Sequence, residues 1–341
     1  MAQTPFSMGY RMPAEWEPHE GTWLSWPKNP ETFSPEDLRM VKKTYSRMIN
    51  ELCTGERVHL LVDDAKMRKE VLQSVEPSRN LVFHLIRSAD VWMRDYGPIF
   101  VKSSGLATTK WTFNAWGSKY DDLLPDNETG EAIVKELGLT NFETGMVLEG
   151  GSIDVNGRGF LLTTKQCLLN KNRNPSMDAG AIETSLRDYL GAERVIWLEG
   201  GIEGDDTDGH IDDIARFVAH DTVVCMTESN ERTANHASLS GNLELLRAAR
   251  DPGGNPLRMV EIPMPRDLKG AEGVLPASYA NFYIGNSVVL VPTFSDTNDG
   301  RALKEIGRLF PTRRVVGLDS RSLVSGFGGI HCVTQQQPTA I

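Results

Sequence analysis

Of the four cysteines in the chain, Cys332 stands apart from Cys53, Cys167 and Cys225, because it lies in GFGGIHCVTQQQP (Gly326 to Pro338), after a glycine run and beside His331. The other three end or interrupt apolar runs, as small buried hydrophobes do. Four further polar clusters recur along the chain: WMRDYGP (Trp92 to Pro98), LEGGS (Leu148 to Ser152), DDTDGHIDD (Asp205 to Asp213) and SYANF (Ser278 to Phe282). If these loops meet, they bring Asp95, Glu149, His210, Asn281 and Cys332 to one place. A thiol paired with histidine becomes a thiolate nucleophile, since the pairing lowers its pKa from about 8.5. Two carboxylates then bind a metal or hold an organic cation.

The aspartate-rich run fails as a calcium loop, with Gly204 and Ala215 where the first and last carboxylates belong, and His210 with Asp212 two residues on is a poor zinc pair. Separated cysteines without CxxC exclude a zinc ribbon or a disulfide framework. No metal and no cofactor is expected. GFGGIH is no dinucleotide loop either, because too few residues follow it for a βαβ unit. A guanidinium fits instead: its planar fork of N–H donors seeks bidentate acceptors, and its electron-poor carbon would lie open to sulfur. The expected chemistry is attack of Cys332 on that carbon, with His210 protonating departing ammonia and then activating water.

Composition agrees. The formal net charge is −10 and the pI about 5.3. With no Lys/Arg block, a nucleic-acid or anionic-membrane partner is disfavoured. No apolar stretch approaches a membrane span and the N-terminus has no signal-like h-region, which predicts a cytoplasmic protein. The oligomeric state is left open, a homo-oligomer included.

The elements that must position these loops repeat. Strand–turn–strand pairs read from PIFVKSSGLATTKWTF, SIDVNGRGFLLTTKQCLL, IARFVAHDTVVCMTE and ANFYIGNSVVLVPTF. Each precedes a helical pattern (Glu131 to Leu137, Ala181 to Leu190, Asn242 to Arg250, Arg301 to Phe310) and a closing strand (MVLE, RVIWLE, RMVEIP, RRVVGL). EGTWLSW is a weaker opening hairpin before a helix from Ser34, the N-cap, to Leu52, and RVHLLVD closes that module. Five hairpin–helix–strand modules predict an α/β fold with radial, pseudo-fivefold symmetry and one domain spanning 1–341.

The motifs EWEPHEGTWLSWP, WMRDYGPIFV, LEGGS with LLTTKQCLLNKNRNPS, DDTDGHIDD, SYANFYIGN and GGIHCVTQQQP follow one another along essentially the whole chain. In them it closely resembles the agmatine deiminase and bacterial peptidyl-arginine deiminase family, of the guanidine-modifying superfamily, whose fold is a five-bladed α/β propeller. The resemblance implies Cys332 as nucleophile and His210 as general acid/base. It implies Asp95 and Asp212 as guanidinium-binding carboxylates, and Glu149, favoured over Glu199 of the second LEGG, as partner of His210. Trp92 would pack along the substrate's aliphatic chain and Asn281 would assist. The implied activity is hydrolysis of agmatine to N-carbamoylputrescine and ammonia through a Cys332 thiouronium, in putrescine (polyamine) biosynthesis. Alternatives are deimination of peptidyl-arginine, a non-catalytic guanidinium-binding propeller and a metal-dependent hydrolase.

The chain departs from the family's usual GGGN, GSIHVDG and GHVDN at Phe327 and Gly329, at Asp154 and at Asp213. Asp154 and Asp213 are expected to tune amine recognition or to face water. His331 is expected to point away from Cys332, as neighbours in an extended segment do. Arg94 is expected in an ion pair, and Asp205, Asp206 and Asp208 as loop caps or solvated groups.

Overall fold

The computed structural model describes residues 3–251, 254–271 and 273–340. Among them the strands form five small sheets. The first begins with β1 (His19–Ser25), β2 (Arg57–Leu61) and β3 (Leu81–His84). The second holds β4 (Ile99–Lys102), β5 (Leu106–Thr112) and β6 (Thr140–Val147), and the third β7 (Asp154–Val155), β8 (Phe160–Thr164) and β9 (Arg194–Leu198). The fourth holds β10 (Ala215–Ala219), β11 (Thr222–Thr227) and β12 (Arg258–Pro263), and the fifth β13 (Tyr283–Ile284), β14 (Val288–Thr293) and β15 (Arg314–Asp319). The last strand, β16 (Gln335–Pro338), returns to the first sheet.

Sheets two to five share one plan: an antiparallel hairpin turned by Gly, Asn or Asp, then a helix, then a third strand parallel to the second. A parallel partner requires such a crossover, and the helix supplies it. The first sheet differs from the expected opening hairpin. β1 is a single strand whose antiparallel neighbour is β16, more than three hundred residues away in sequence. HEGTWLS carries no turn between two apolar halves, so its edge is completed from the far end of the chain.

Each long helix covers an apolar seam between two sheets. The helix Pro35–Leu52, with Pro35 in its first turn and Ser34 Oγ accepting from Asp37 N at 3.1 Å, buries Val41, Tyr45, Met48, Ile49 and Leu52. It packs on β2 and on β15 of the fifth sheet. Likewise Ala179–Leu190 packs on β9 and β6, Ala234–Ala248 on β11 and β9, and Asp299–Leu309 on β15 and β12. Sheets two to five therefore follow one another in chain order, each bound to the next by a shared helix; the helix Pro35–Leu52 binds the fifth to the first, and β16 of the first sheet packs on β4 of the second.

Two further differences have local causes. The helix Ala65–Ser74 buries only Val71, so AKMRKEVLQS shows too little apolar periodicity to be read as one. β6 starts at Thr140, before the apolar MVLE, because it is a half-exposed strand whose pairing with β5 shifts register near Trp111. Among the described residues no helix is long and apolar enough to cross a membrane.

The three glutamines of β16 have separate tasks. Gln335 Nε2 donates to Pro98 O at 2.9 Å, Gln336 Oε1 accepts from Arg94 Nη1 at 2.6 Å, and Gln337 Oε1 accepts from Trp23 Nε1 at 2.8 Å. Gln336→Ala strips a buried guanidinium of one acceptor, which costs about 1–3 kcal/mol. Its thermal unfolding midpoint should fall by several degrees; an unchanged midpoint would remove the pairing from the account of how the sheet closes.

Candidate active site

The five polar loops converge. WMRDY leads into a short helix, Met93–Tyr96, which buries Asp95; LEGGS and GHIDD each end in a single 3-10 turn; and GFGGIHC turns directly before β16. Asp95 Oδ1 accepts from Gly151 N at 2.9 Å and lies 3.9 Å from His210 Nδ1, while its Oδ2 accepts from Trp116 Nε1 at 3.0 Å. Cys332 Sγ accepts from Asn281 Nδ2 at 3.1 Å and lies 3.8 Å from Asp212 Oδ2. Asn281 is held with its amide that way round, because its Oδ1 accepts from the backbone N–H groups of His331 (2.8 Å) and Cys332 (3.3 Å).

Glycine is required where these groups crowd. A side chain on Gly151 would come within 2.6 Å of His210 Nδ1 and 2.9 Å of Asp95 Oδ1, and one on Gly328 within 2.2 Å of the Trp92 ring. Both glycines let backbone close on functional side chains.

A cavity of about 470 Å³ reaches this cluster. Its buried end holds Asp95 and Cys332, Trp92 and Trp116 wall it with Tyr120 and Phe327, and the exposed Glu31 and Asp122 line its open side with Asp206. Among the described lining residues there is no Lys or Arg.

The electrostatics lack a positive charge beside the thiol. Burial, then the carboxylates of Asp212, Asp213 and Asp95, push the Cys332 thiol well above its usual range. Burial raises Asp95 to about 6, with Asp212 and Glu149 adding to the shift and His210 opposing it. His210 goes the other way: burial alone would discharge it, but Asp95, Cys167 and Glu149 hold it charged well above the ordinary histidine range. Both its ring nitrogens are buried without a hydrogen-bond partner, as is Asp212 Oδ1. Asp212 is nonetheless held below its usual range, because His331, His210 and Arg216 outweigh its burial. A buried acceptor without a donor is rare enough to need an explanation.

Every sequence-derived candidate thus lies in or against one cluster: Trp92, Asp95 and Cys332 on the cavity, Glu149, His210, Asp212 and Asn281 buried behind it. Glu149 Oε1 binds Arg173 Nε at 2.6 Å, both groups fully buried, whereas Glu199 is exposed and pairs with Lys165. Arg94 makes ion-pair and hydrogen-bond contacts with Glu15, Gln336 and His331 O, as expected.

Other expectations need correcting. His331 and Cys332 sit in a turn rather than an extended segment, and both approach Asp212 Oδ2, with His331 Nδ1 at 2.7 Å. Asp154 and Asp213 neither face water nor line the cavity: Asp154 binds Arg216 Nε at 2.5 Å, and Asp213 accepts from Asn281 Nδ2 at 3.0 Å. Asp205 caps its loop through the N–H groups of Thr207, Gly209 and His210, and Asp208 binds Arg173, but Asp206 lines the cavity and accepts from the Tyr120 hydroxyl.

Sequence reading passed over Glu15, Trp116 and Arg173, and took Cys167 only for a small buried hydrophobe. Each stands inside or next to a motif already noted, yet a lone Trp, Cys or Glu carries no signal of its own. Trp116 lies in a turn where Ala115, Trp116 and Ser118 all take left-handed φ near +55° (52°, 53° and 59°), a cost that bulky residues bear at functional sites.

Comparison with known proteins gives the same direction. A protein of Legionella pneumophila is 38% identical over 343 residues, covering 99% of this chain and 97% of its own. The agmatine deiminase of Stutzerimonas stutzeri is 35% identical over 363 residues, with 99% and 98% coverage. The solved agmatine deiminase of Enterococcus faecalis superposes with a TM-score of 0.93 at 31% identity, covering 100% and 99% of the two chains. The profile of the Porphyromonas-type peptidyl-arginine deiminases matches residues 11–338, and the chain belongs to that family.

Proposed function

We propose that this protein is an agmatine deiminase that hydrolyses agmatine to N-carbamoylputrescine and ammonia in the cytoplasm, a step in putrescine synthesis. The observation that carries the reading is Asp212 Oδ1: a fully buried carboxylate oxygen with no donor, on a residue whose other oxygen lies 3.8 Å from the nucleophilic sulfur. With Asp95 across the site it can accept the N–H fork of a guanidinium. The relatives named agmatine deiminase support the same substrate.

The five sheets, four of their junctions covered by shared helices and the fifth made by β16 on β4, support a five-bladed propeller formed by a single domain over 1–341. Loops at one end of the blades would then meet on the axis, where the cluster lies.

In the free site the thiol keeps its proton, because burial and three carboxylates oppose a thiolate. A guanidinium between Asp95 and Asp212 supplies the missing positive charge and lowers the thiol pKa, so that the thiol proton passes to solvent as the substrate binds. Asn281 Nδ2 then stabilises the thiolate as it attacks the guanidinium carbon. His210, held protonated, gives its proton to the departing nitrogen, and ammonia leaves a thiouronium on Cys332. Neutral His210 next takes one proton from water, whose oxygen attacks the same carbon; the C–S bond then breaks, the ureido product leaves, and the second proton returns to the Cys332 sulfur. Glu149, fixed by Arg173, stands as the acidic partner of His210. Trp92 and Trp116 wall the aliphatic chain. The acidic open side without Lys or Arg suits a terminal ammonium and opposes the α-carboxylate of free arginine.

Assays for ammonia and ureido product should show turnover of agmatine, far less of free arginine or an arginine-containing peptide, and none with Cys332→Ala. Peptide turnover would make the protein a peptidyl-arginine deiminase, and unchanged activity in Cys332→Ala would sink the covalent mechanism.

The raised Asp95 value fixes the acid limb of the pH profile. Below about 6 its carboxyl gains a proton and cannot hold the cation, so kcat/KM for agmatine should fall as pH drops through that value. On the alkaline side activity should fall as His210 loses its proton, above the ordinary histidine range. A profile level across both limbs would contradict these assignments.

Glu31→Gln combined with Asp122→Asn should raise KM for agmatine about threefold, leave kcat unchanged, and flatten the salt dependence of kcat/KM. Equal KM and salt response in the wild type and the variant would remove these carboxylates from tail recognition.

A further inference from the structure

Among the described residues one group of three ligand-type side chains converges: Glu149, Cys167 and His210, all buried, offer a carboxylate oxygen, a sulfur and a ring nitrogen within 4.8 Å of one another. We infer that these three residues bind a single soft or borderline divalent cation, Zn²⁺ being the best fit, and that the bound ion silences His210. A zinc ion with bonds of about 2.0–2.3 Å holds its ligand atoms roughly 3.3–3.8 Å apart in a tetrahedron, within the observed limit.

A second observation points to a ligand. Glu149 has its Oε2 without a donor although the residue is 0% exposed, and neither ring nitrogen of His210, 1% exposed, makes a hydrogen bond of ordinary geometry, its neighbours being Cys167 and Asp95. The remaining oxygen of Glu149 is anchored by Arg173 Nε at 2.6 Å, and Cys167 is fixed by its N–H donating to Thr164 Oγ1 at 3.1 Å. Such outer contacts orient metal ligands in advance. A thiolate with an imidazole and one carboxylate selects Zn²⁺ over Mg²⁺ or Ca²⁺. Asp95, 3.9 Å from His210 Nδ1, also lines the cavity, so the cluster lies directly behind the cavity wall.

Binding displaces the thiol proton of Cys167 and any proton on His210, and the imidazole lone pair goes to the metal. An imidazole so held can neither protonate ammonia nor activate water, so the ion is an inhibitor rather than a cofactor. The silencing rests on the role proposed for His210; the binding does not.

The test therefore reads binding first, in Cys332→Ala, which removes the other thiol of the site. Equilibrium dialysis with Zn²⁺ should find about one ion per chain, and Co²⁺ should give a thiolate charge-transfer band. Adding Cys167→Ser should abolish the band and weaken binding at least tenfold; Glu149→Gln, in the same background, should also weaken binding and serves if the Cys167→Ser protein does not fold. No bound ion in Cys332→Ala, or binding indifferent to both changes, overturns the site. In the chain with Cys332 intact, Zn²⁺ should suppress turnover reversibly on addition of a chelator, and Cys167→Ser should raise the inhibitory concentration at least tenfold. Inhibition equal in both would assign it to Cys332 and overturn the silencing of His210.

Discussion

Glu15 is the contact on which the site rests. Its Oε2 lies 2.8 Å from His331 Nε2, 2.9 Å from Arg216 Nη2 and 3.3 Å from Arg94 Nη2, while Oε1 accepts from Ile284 N at 2.8 Å. Burial raises the cost of its charge, but Arg216, His331 and Arg94 outweigh it and hold the carboxyl well below its usual range. Removing one member of such a group leaves an uncompensated buried charge, the costly way to break it. One carboxylate thus ties the segment before β1 to the loops that carry Asp95, Asp212 and Cys332. His331 passes the constraint on, gripping Asp212 by one ring nitrogen and Glu15 by the other.

Behind the cavity each guanidinium is matched: Arg216 by Glu15 and Asp154, Arg173 by Glu149 and Asp208, Arg94 by Glu15 and Gln336. Around the Cys332 sulfur the balance tips, with Asp95, Asp212 and Asp213 near it and no fixed guanidinium among them. Isolated, that arrangement would be a defect of burial. It becomes useful if the missing charge arrives with the substrate, because the thiol is then activated only when the cation is in place.

What could be read in advance, and what could not, follows from how each residue acts. Asp95, His210, Asn281 and Cys332 stand beside glycines or in dense polar runs, so their types and spacing announce them. Glu15 acts through His331, 316 positions away, and Arg173 through Glu149, 24 away, so neither has a local pattern. Asp154 and Asp213 look like substrate-facing or solvated acids, because sequence does not tell which side of a loop is buried. The modules were legible from turn residues and helical periodicity, but the partner of β1 was not, since register between chain ends leaves no short-range trace.

That remote pairing also explains where Cys332 stands. Cys332 lies three residues before β16, and Gln336 of that strand holds Arg94, whose backbone N–H donates to Cys332 O at 3.1 Å. The strand that completes the first sheet therefore fixes the Cys332 loop against the Asp95 helix from two directions. A nucleophile on a long free loop would need its position restored at each turnover. Here closing the fold and placing the sulfur beside its carboxylates are the same event, which is the preorganisation an attack within a few ångströms requires.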